Sequence, residues 1–250
     1  MAEGARIWII GASEGIGAAL ARQWAAKGAR LILSARSAGR LEALAESLGP
    51  GHLALPLDVS DRASLDAAAA VIDATGPLDR VVHLAALYDP GRIARLDPAR
   101  AAQIVTVNLT GSFHIAQIAP PLLRRGGQLA LCGSVAGYVG LPQGQIYSAT
   151  KAGVINLAES LRAELAGRID VRLISPGFVD TRLTRRNDFT MPALQTPEAA
   201  ARAIIAGLDR RGFEVHFPRR LTLALKLLRA LPYWGSLPLT GRLARPDGPA

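Results

Sequence analysis

Residues 6–17, R-I-W-I-I-G-A-S-E-G-I-G, decide the fold. Arg6 to Ile10 is a nearly uninterrupted apolar run ending on glycine, the pattern of a strand buried on both faces of a parallel sheet. Gly11, Gly15 and Gly17 then space out a turn into a helix. Glycine permits the tight turn at the first position and lets backbone approach a pyrophosphate at the second. At the third it lets the helix pack on the sheet. The start of that helix offers N–H donors and a partial positive charge to phosphates. Strand, turn and helix together form the first unit of a dinucleotide site. The G-x-x-x-G-x-G spacing departs from the commoner G-x-G-x-x-G.

Outward from this unit the chain keeps alternating. Ile16 to Lys27 has helical periodicity and closes on Gly28, Arg30 to Ala35 is a strand, and Leu41 to Leu48 is a helix stopped by Gly49-Pro50. His52 to Leu57 reads as a third strand, and Asp61 as the N-cap of a helix to Ala74. Asp79 to Leu84 is a fourth strand, followed by one long helix from Pro98 to Arg125 and a strand from Gln128 to Gly133. A helix from Ile146 to Gly167 leads to strand Asp170 to Ser175. Thr196-Pro197 caps a helix to Asp209, and Phe213 to Phe217 is the last strand. Seven strands alternating with helices imply right-handed crossovers and a parallel sheet covered on both faces. We therefore expect a single Rossmann-type, doubly wound α/β domain over residues 1–218, with a C-terminal amphipathic extension over 219–250.

Composition narrows the classes. With 250 residues, 50% hydrophobic and 20% charged, the chain is long enough for a substantial core and is not a disordered sequence. Its one cysteine, Cys132, excludes an internal disulfide framework and a thiolate metal cluster, and no metal is expected. Cys132 reads as a small apolar residue ending a buried strand. Met1 to Gly4 carries no basic segment or long apolar run, and no stretch approaches the roughly 18 apolar residues of a spanning helix. The expected location is the cytoplasm.

The net charge is +9, and from Arg202 onward nine Arg or Lys face three acids. No finger, helix-turn-helix cue or aromatic-basic RNA motif accompanies this charge, so nucleic acid is not an expected partner. An acidic surface such as a phospholipid headgroup layer and a plain arginine bias both remain open. Within the tail, Arg219, Thr222, Lys226 and Arg229 form a narrow polar stripe at about 100° per residue, with leucines elsewhere. Pro232-Tyr233-Trp234 follows. Peripheral contact through 219–234 with the inner face of a membrane is one reading of this tail, and packing on the core or a partner subunit is the other. Gly177 to Pro192, which holds Arg182, Arg185, Arg186 and Asp188, lacks periodicity and is either a mobile lid or a surface loop.

Chemistry enters with Tyr147 and Lys151, one helical turn apart, and with Ser134 thirteen residues before the tyrosine. A free tyrosine titrates near 10 and is a poor acid at neutral pH. A lysine ammonium one turn away favours the phenolate and brings it toward the working range. Ser134 is placed to hold a substrate oxygen while Tyr147 moves its proton. At the end of the second strand, Ala35 and Arg36 stand where an acid would bind ribose hydroxyls; an arginine there favours a 2′-phosphate instead. NADP(H) is thus expected over NAD(H), with NAD(H) left open. Glu14, a carboxylate in the phosphate turn, works against an extra phosphate.

These residues resemble the short-chain dehydrogenase/reductase family over Arg6 to Phe217. The resemblance makes Ser134, Tyr147 and Lys151 catalytic and adds Asn108, in V-N-L-T-G, as the anchor of a water that relays protons to the lysine. It assigns cofactor binding to Gly11, Ser13, Gly15, Ile16 and Gly17 of the turn, Arg36, the adenine-contacting pair Asp58 and Val59, Ala85, Tyr147 and Lys151. Pro176, Val179 and Thr181 would hold the nicotinamide carboxamide. The family's usual N-N-A-G reads His83-Leu84-Ala85-Ala86 here, and the threonine before the first glycine is Ile10. His83 reads as a hydrogen-bonded strand-end histidine.

The function implied is an NADP(H)-preferring oxidoreductase acting on the carbonyl, or matching secondary alcohol, of a small molecule. Val135, Tyr138, Val139, Leu141 and Phe178 hint that this molecule is hydrophobic. The resemblance also implies a homodimer or homotetramer, with the Asn108 and Tyr147 helices at an interface. The rival is a dinucleotide-binding scaffold or regulatory protein without turnover, against which the intact catalytic set argues.

Overall fold

The computed structural model describes residues 4–243. In chain order its elements are β1 (Arg6–Ile10), α1 (Gly15–Ala25), β2 (Arg30–Ser34), α2 (Ala38–Leu48), β3 (Leu53–Ala54), α3 (Arg62–Asp73) and β4 (Leu78–His83). Then come α4 (Pro98–Val105), α5 (Gly111–Leu122), β5 (Leu123–Cys132), α6 (Gln145–Glu164), β6 (Asp170–Pro176), α7 (Pro197–Leu208), β7 (Glu214–Phe217), α8 (Arg219–Ala230) and α9 (Tyr233–Gly241). The strands form one seven-stranded sheet in the order β3-β2-β1-β4-β5-β6-β7, and every pairing is parallel. The order reverses between β1 and β4, which opens a crevice at the carboxyl ends of the strands.

Alternation along each strand builds two cores. Ile7 and Ile9 point into the layer of α1, α2 and α7, beside Trp24, Leu41 and Ile204. Trp8 and Ile10 point to the opposite layer of α3, α5 and α6, beside Ile72, Ile115 and Val154. Trp8 is fully buried and donates its indole N–H to Ser34 Oγ at 2.9 Å, so its one polar atom is satisfied. Asp61 and Thr196 cap α3 and α7 as their positions imply, accepting from Ala63 N at 3.0 Å and Ala199 N at 3.2 Å.

Three elements differ from the sequence expectation. The third strand is reduced to Leu53–Ala54 at the sheet edge: Leu55 and Leu57 still donate to Leu33 and Ala35, but Pro56 between them has no N–H to offer. The long helix expected from Pro98 to Arg125 is broken by a π turn at Thr106–Thr110, and it ends at Leu122 after Pro120 and Pro121. Leu123 to Arg125 instead open β5, where Leu123 pairs with Leu78.

The tail departs furthest. The polar stripe turns inward at Thr222, which is fully buried and hydrogen-bonds His216 Nδ1 at 2.6 Å, and at Lys226, which pairs with Glu214, while Arg219 and Arg229 stay exposed. Glu214 also accepts from the Tyr138 hydroxyl. A second helix, α9, follows Pro232 and was not legible because Gly235 and Pro238 interrupt its pattern. Residues 1–3 of the expected domain and 244–250 of the expected extension lie outside the described residues.

Candidate active site

The crevice is a cleft of about 550 Å³. At its floor the β1–α1 turn leaves no room for side chains. Gly11 has φ +92°, and a Cβ there would lie 2.8 Å from Ala85 N; one on Gly17 would lie 2.1 Å from the Gly11 carbonyl oxygen. Glu14, at the N-cap of α1, makes no side-chain bond to the first turn, so that turn's amides are not used up by a protein cap. The close packing of Gly11 and Gly17 on neighbouring backbone and the uncapped first turn of α1 fit the pyrophosphate of a dinucleotide.

Every cofactor position expected from sequence lines this one cleft: Gly11, Ser13, Gly15, Ile16, Gly17, Arg36, Asp58, Val59, Ala85, Tyr147, Lys151, Pro176, Val179 and Thr181. Ser134 lines it too, whereas Asn108 sits behind its neighbour Val107. Asp58, after β3, turns its carboxylate back to accept from Ser60 N at 2.9 Å. At the adenosine end Arg36 is exposed on the rim, with Ser37 and Arg40 beside it. Glu14, the carboxylate expected to work against an extra phosphate, is paired with two arginines. Its two oxygens hold Arg40 of α2 and Arg182 of the segment after β6, each at 3.0 Å.

At the other end, α6 carries Tyr147 and Lys151 into the cleft beneath β5. Lys151 is buried, donates from Nζ to the Cys132 carbonyl at 2.8 Å, and stands 5.7 Å from the Tyr147 ring centroid. Burial lowers its pKa, opposed by the nearby Cys132. Burial also dominates at Tyr147 and raises its pKa well above the ordinary tyrosine range, Cys132 adding to the rise while Ser134 works downward. The downward shift expected from Lys151 is not met: burial prevails, and the phenol stays protonated at neutral pH. Ser134 follows β5 in extended backbone and accepts from Ala136 N at 3.1 Å, which fixes its hydroxyl.

Asn108 sits within the π turn, buried, and clamps the loop after β4. Its Oδ1 accepts from Leu87 N at 2.7 Å, and its Nδ2 donates to Leu87 O at 2.9 Å and Thr150 Oγ1 at 3.2 Å. Thr150 in turn donates to the Tyr147 carbonyl at 2.7 Å. Asn108 is thus linked through one residue to the backbone of the tyrosine.

Sequence reading missed Tyr88. Its ring meets Tyr147 edge-on at 4.8 Å between centroids, and its hydroxyl donates to Asn187 at 2.7 Å. Arg186 donates to the Tyr88 carbonyl at 2.7 Å and pairs with Asp89. The segment after β6 is therefore strapped over the site through Tyr88, Asp89 and Glu14, contacts between distant loops that no local pattern announces. Val135 and Tyr138, expected near the substrate, belong instead to the core. Leu84, Leu87, Val107 and Leu183 are among the apolar residues that line the cleft. Phe178 stacks edge-on against Phe189 in the segment after β6. His83 ends β4 as expected, yet neither ring nitrogen has a hydrogen-bond partner among the described residues. Burial, with the Lys151 charge adding to it, holds its pKa down at about 3.

Comparison with known proteins bears on this geometry. Residues 5–191 match the short chain dehydrogenase family. The chain is 34% identical over 231 residues to an uncharacterized oxidoreductase of Myxococcus xanthus, covering 90% of this chain and 91% of that protein. It is also 34% identical over 187 residues to the 3-oxoacyl-(acyl-carrier-protein) reductase FabG of Escherichia coli, covering 73% of this chain and 77% of that one. Among solved structures, a short chain dehydrogenase from Burkholderia cenocepacia in complex with NADP superposes with a TM-score of 0.83 at 25% identity, covering 98% of this chain and 99% of that chain. One from Sphingobium yanoikuyae in complex with NADPH superposes with a TM-score of 0.80 at 27% identity, covering 98% of each.

Proposed function

The chain belongs to the short-chain dehydrogenase/reductase family and is an NAD(P)-dependent oxidoreductase, and from that premise we propose that it prefers NADP(H) and reduces the carbonyl of a hydrophobic small molecule. The observation that carries this reading is the shared cleft. The glycine cradle, the arginine rim, Ser134, Tyr147 and Lys151 all open onto one space.

When bound, the nicotinamide supplies the hydride. The chain's own residues supply the rest. Ser134, its hydroxyl steadied by the Ala136 N–H, holds the carbonyl oxygen. Tyr147, kept protonated by burial, donates its proton to that oxygen. Lys151, anchored on the Cys132 carbonyl, stands 5.7 Å from the ring and favours the phenolate that results. Asn108 fixes the Leu87 backbone, and through Thr150 the start of α6. At the far end Arg36 and Arg40 offer cations to a 2′-phosphate. The NADP and NADPH complexes of the two solved relatives support the same cofactor preference.

The test is steady-state NADPH oxidation across a panel of hydrophobic ketones and aldehydes, repeated with Tyr147→Phe. Wild type turns over at least one of them, and the variant is slower by about a hundredfold or more while still binding NADPH, as removal of a positioned acid implies. NADPH binding without turnover on any carbonyl, or half the wild-type rate in the variant, would overturn the reading.

A further inference from the structure

The last two helices bury polar side chains while leaving several of their largest apolar ones exposed. Among α8 and α9 the buried residues are Thr222, Ser236 and Thr240. Leu227 is 69% exposed, Tyr233 81% and Trp234 82%, with Leu223 and Leu237 beside them. The cause is a polar anchor. Thr222 hydrogen-bonds His216, and Lys226 is drawn into Glu214, which also holds the Tyr138 hydroxyl. These bonds fix the rotation of α8 with Leu223 and Leu227 outward, one turn apart. Water is a poor neighbour for so many exposed apolar side chains on two successive helices, and such a cluster marks a contact surface.

Charge selects the contact. From Arg219 to Leu243 the sequence holds five basic residues and no Asp or Glu. Lys226 is taken by Glu214, while Arg219, Arg220, Arg229 and Arg242 are exposed. A twofold interface between copies would set this patch against itself, bringing arginines together without a carboxylate between them. A lipid surface with anionic headgroups accepts both the arginines and the apolar face, with Tyr and Trp at headgroup level. No helix among the described residues is long and apolar enough to cross a membrane. At about 18 Å, α8 can only lie in the plane of the surface.

We propose that the outward face of α8 and α9, centred on Leu223, Leu227, Tyr233 and Trp234, docks the enzyme on the anionic leaflet of a lipid bilayer. The docked surface adjoins the site. The first turn of α8 packs on Gly177, which lines the cleft, so closely that a Cβ there would lie 3.0 Å from Leu221 Cδ2.

Full-length protein is floated with vesicles of phosphatidylglycerol and phosphatidylcholine in equal parts, and separately of phosphatidylcholine alone, at low and high salt. Wild type co-floats about tenfold more with the anionic vesicles and is released by salt, as basic residues near an anionic surface each add about fivefold in affinity. The Leu227→Ser/Trp234→Ser double variant loses most of that binding, and Arg219→Gln/Arg220→Gln loses an intermediate share. NADPH fluorescence and thermal unfolding check that the variants remain folded, which is expected since all four side chains face solvent. Absence of wild-type flotation at every composition overturns the proposal, as does equal flotation with neutral vesicles. If instead the Leu227/Trp234 variant sediments at a lower mass than a wild type that ignores vesicles, the face belongs to a second copy, and the proposal is likewise overturned.

Discussion

Arg36 stands exposed at the rim where β2 gives way to α2, with Ala35 before it and Arg40 four residues on. Ala35 leaves room for a 2′-phosphate, and the two guanidiniums can pair with it, whereas an acid at this edge would bind ribose hydroxyls instead. Wild type is therefore expected to bind NADPH about tenfold or more tighter than NADH, and Ala35→Asp/Arg36→Ala to reverse that order in fluorescence titration. Equal dissociation constants in wild type would count decisively against Arg36. This residue was readable because its place follows from the chain itself, at the end of the second strand. The partners of Glu14 were not: Arg40 and Arg182 lie 26 and 168 residues away and meet it only through the fold. A carboxylate that looked hostile to phosphate is in fact a tie between two arginines.

Between α4 and α5 the helix admits a π turn, and Asn108 lies within it. Such turns occur often at functional sites, since they re-aim one side chain without ending the helix. Here the amide reaches both the N–H and the carbonyl of Leu87. Asn108→Ala leaves those groups without their partner, so a loss of about 1–3 kcal/mol is expected in urea unfolding. Turnover should fall with it, because the same amide steadies Thr150 and through it the Tyr147 backbone. An unchanged midpoint together with an unchanged kcat would remove Asn108 from its clamping role. Helical periodicity predicted one long helix here because a single π turn leaves the apolar spacing nearly intact. The early end at Leu122 and the short β3 follow from proline, which offers no N–H donor, yet only the neighbouring strands show which bonds are forgone.

Across the whole molecule, acid sensitivity should follow from buried histidine. His83 has its pKa held at about 3 by burial, against an ordinary 6.5. Between those values the unfolded chain binds a proton that the native state does not, so stability falls as pH drops below 6.5. For this one group the loss from pH 7 to pH 5 is about 2 kcal/mol. His52 and His216 are lowered too, chiefly by partial burial, and act with the same sign. Denaturant unfolding of wild type should show this slope, and His83→Asn should flatten it by that amount; identical slopes would refute the assignment to His83. What the sequence alone determined were features carried by chain neighbours. The alternation of strands and helices, the glycine turn and the Tyr147–Lys151 spacing all rest on local sterics and periodicity. Periodicity reports that a helix has two unlike faces but not which neighbour each will meet. In the tail, the packing against β7 and Tyr138 decided the matter: half-buried Glu214 and His216 took Lys226 and Thr222 as partners, so that part of the polar stripe turned inward and Leu223 and Leu227 were left outside.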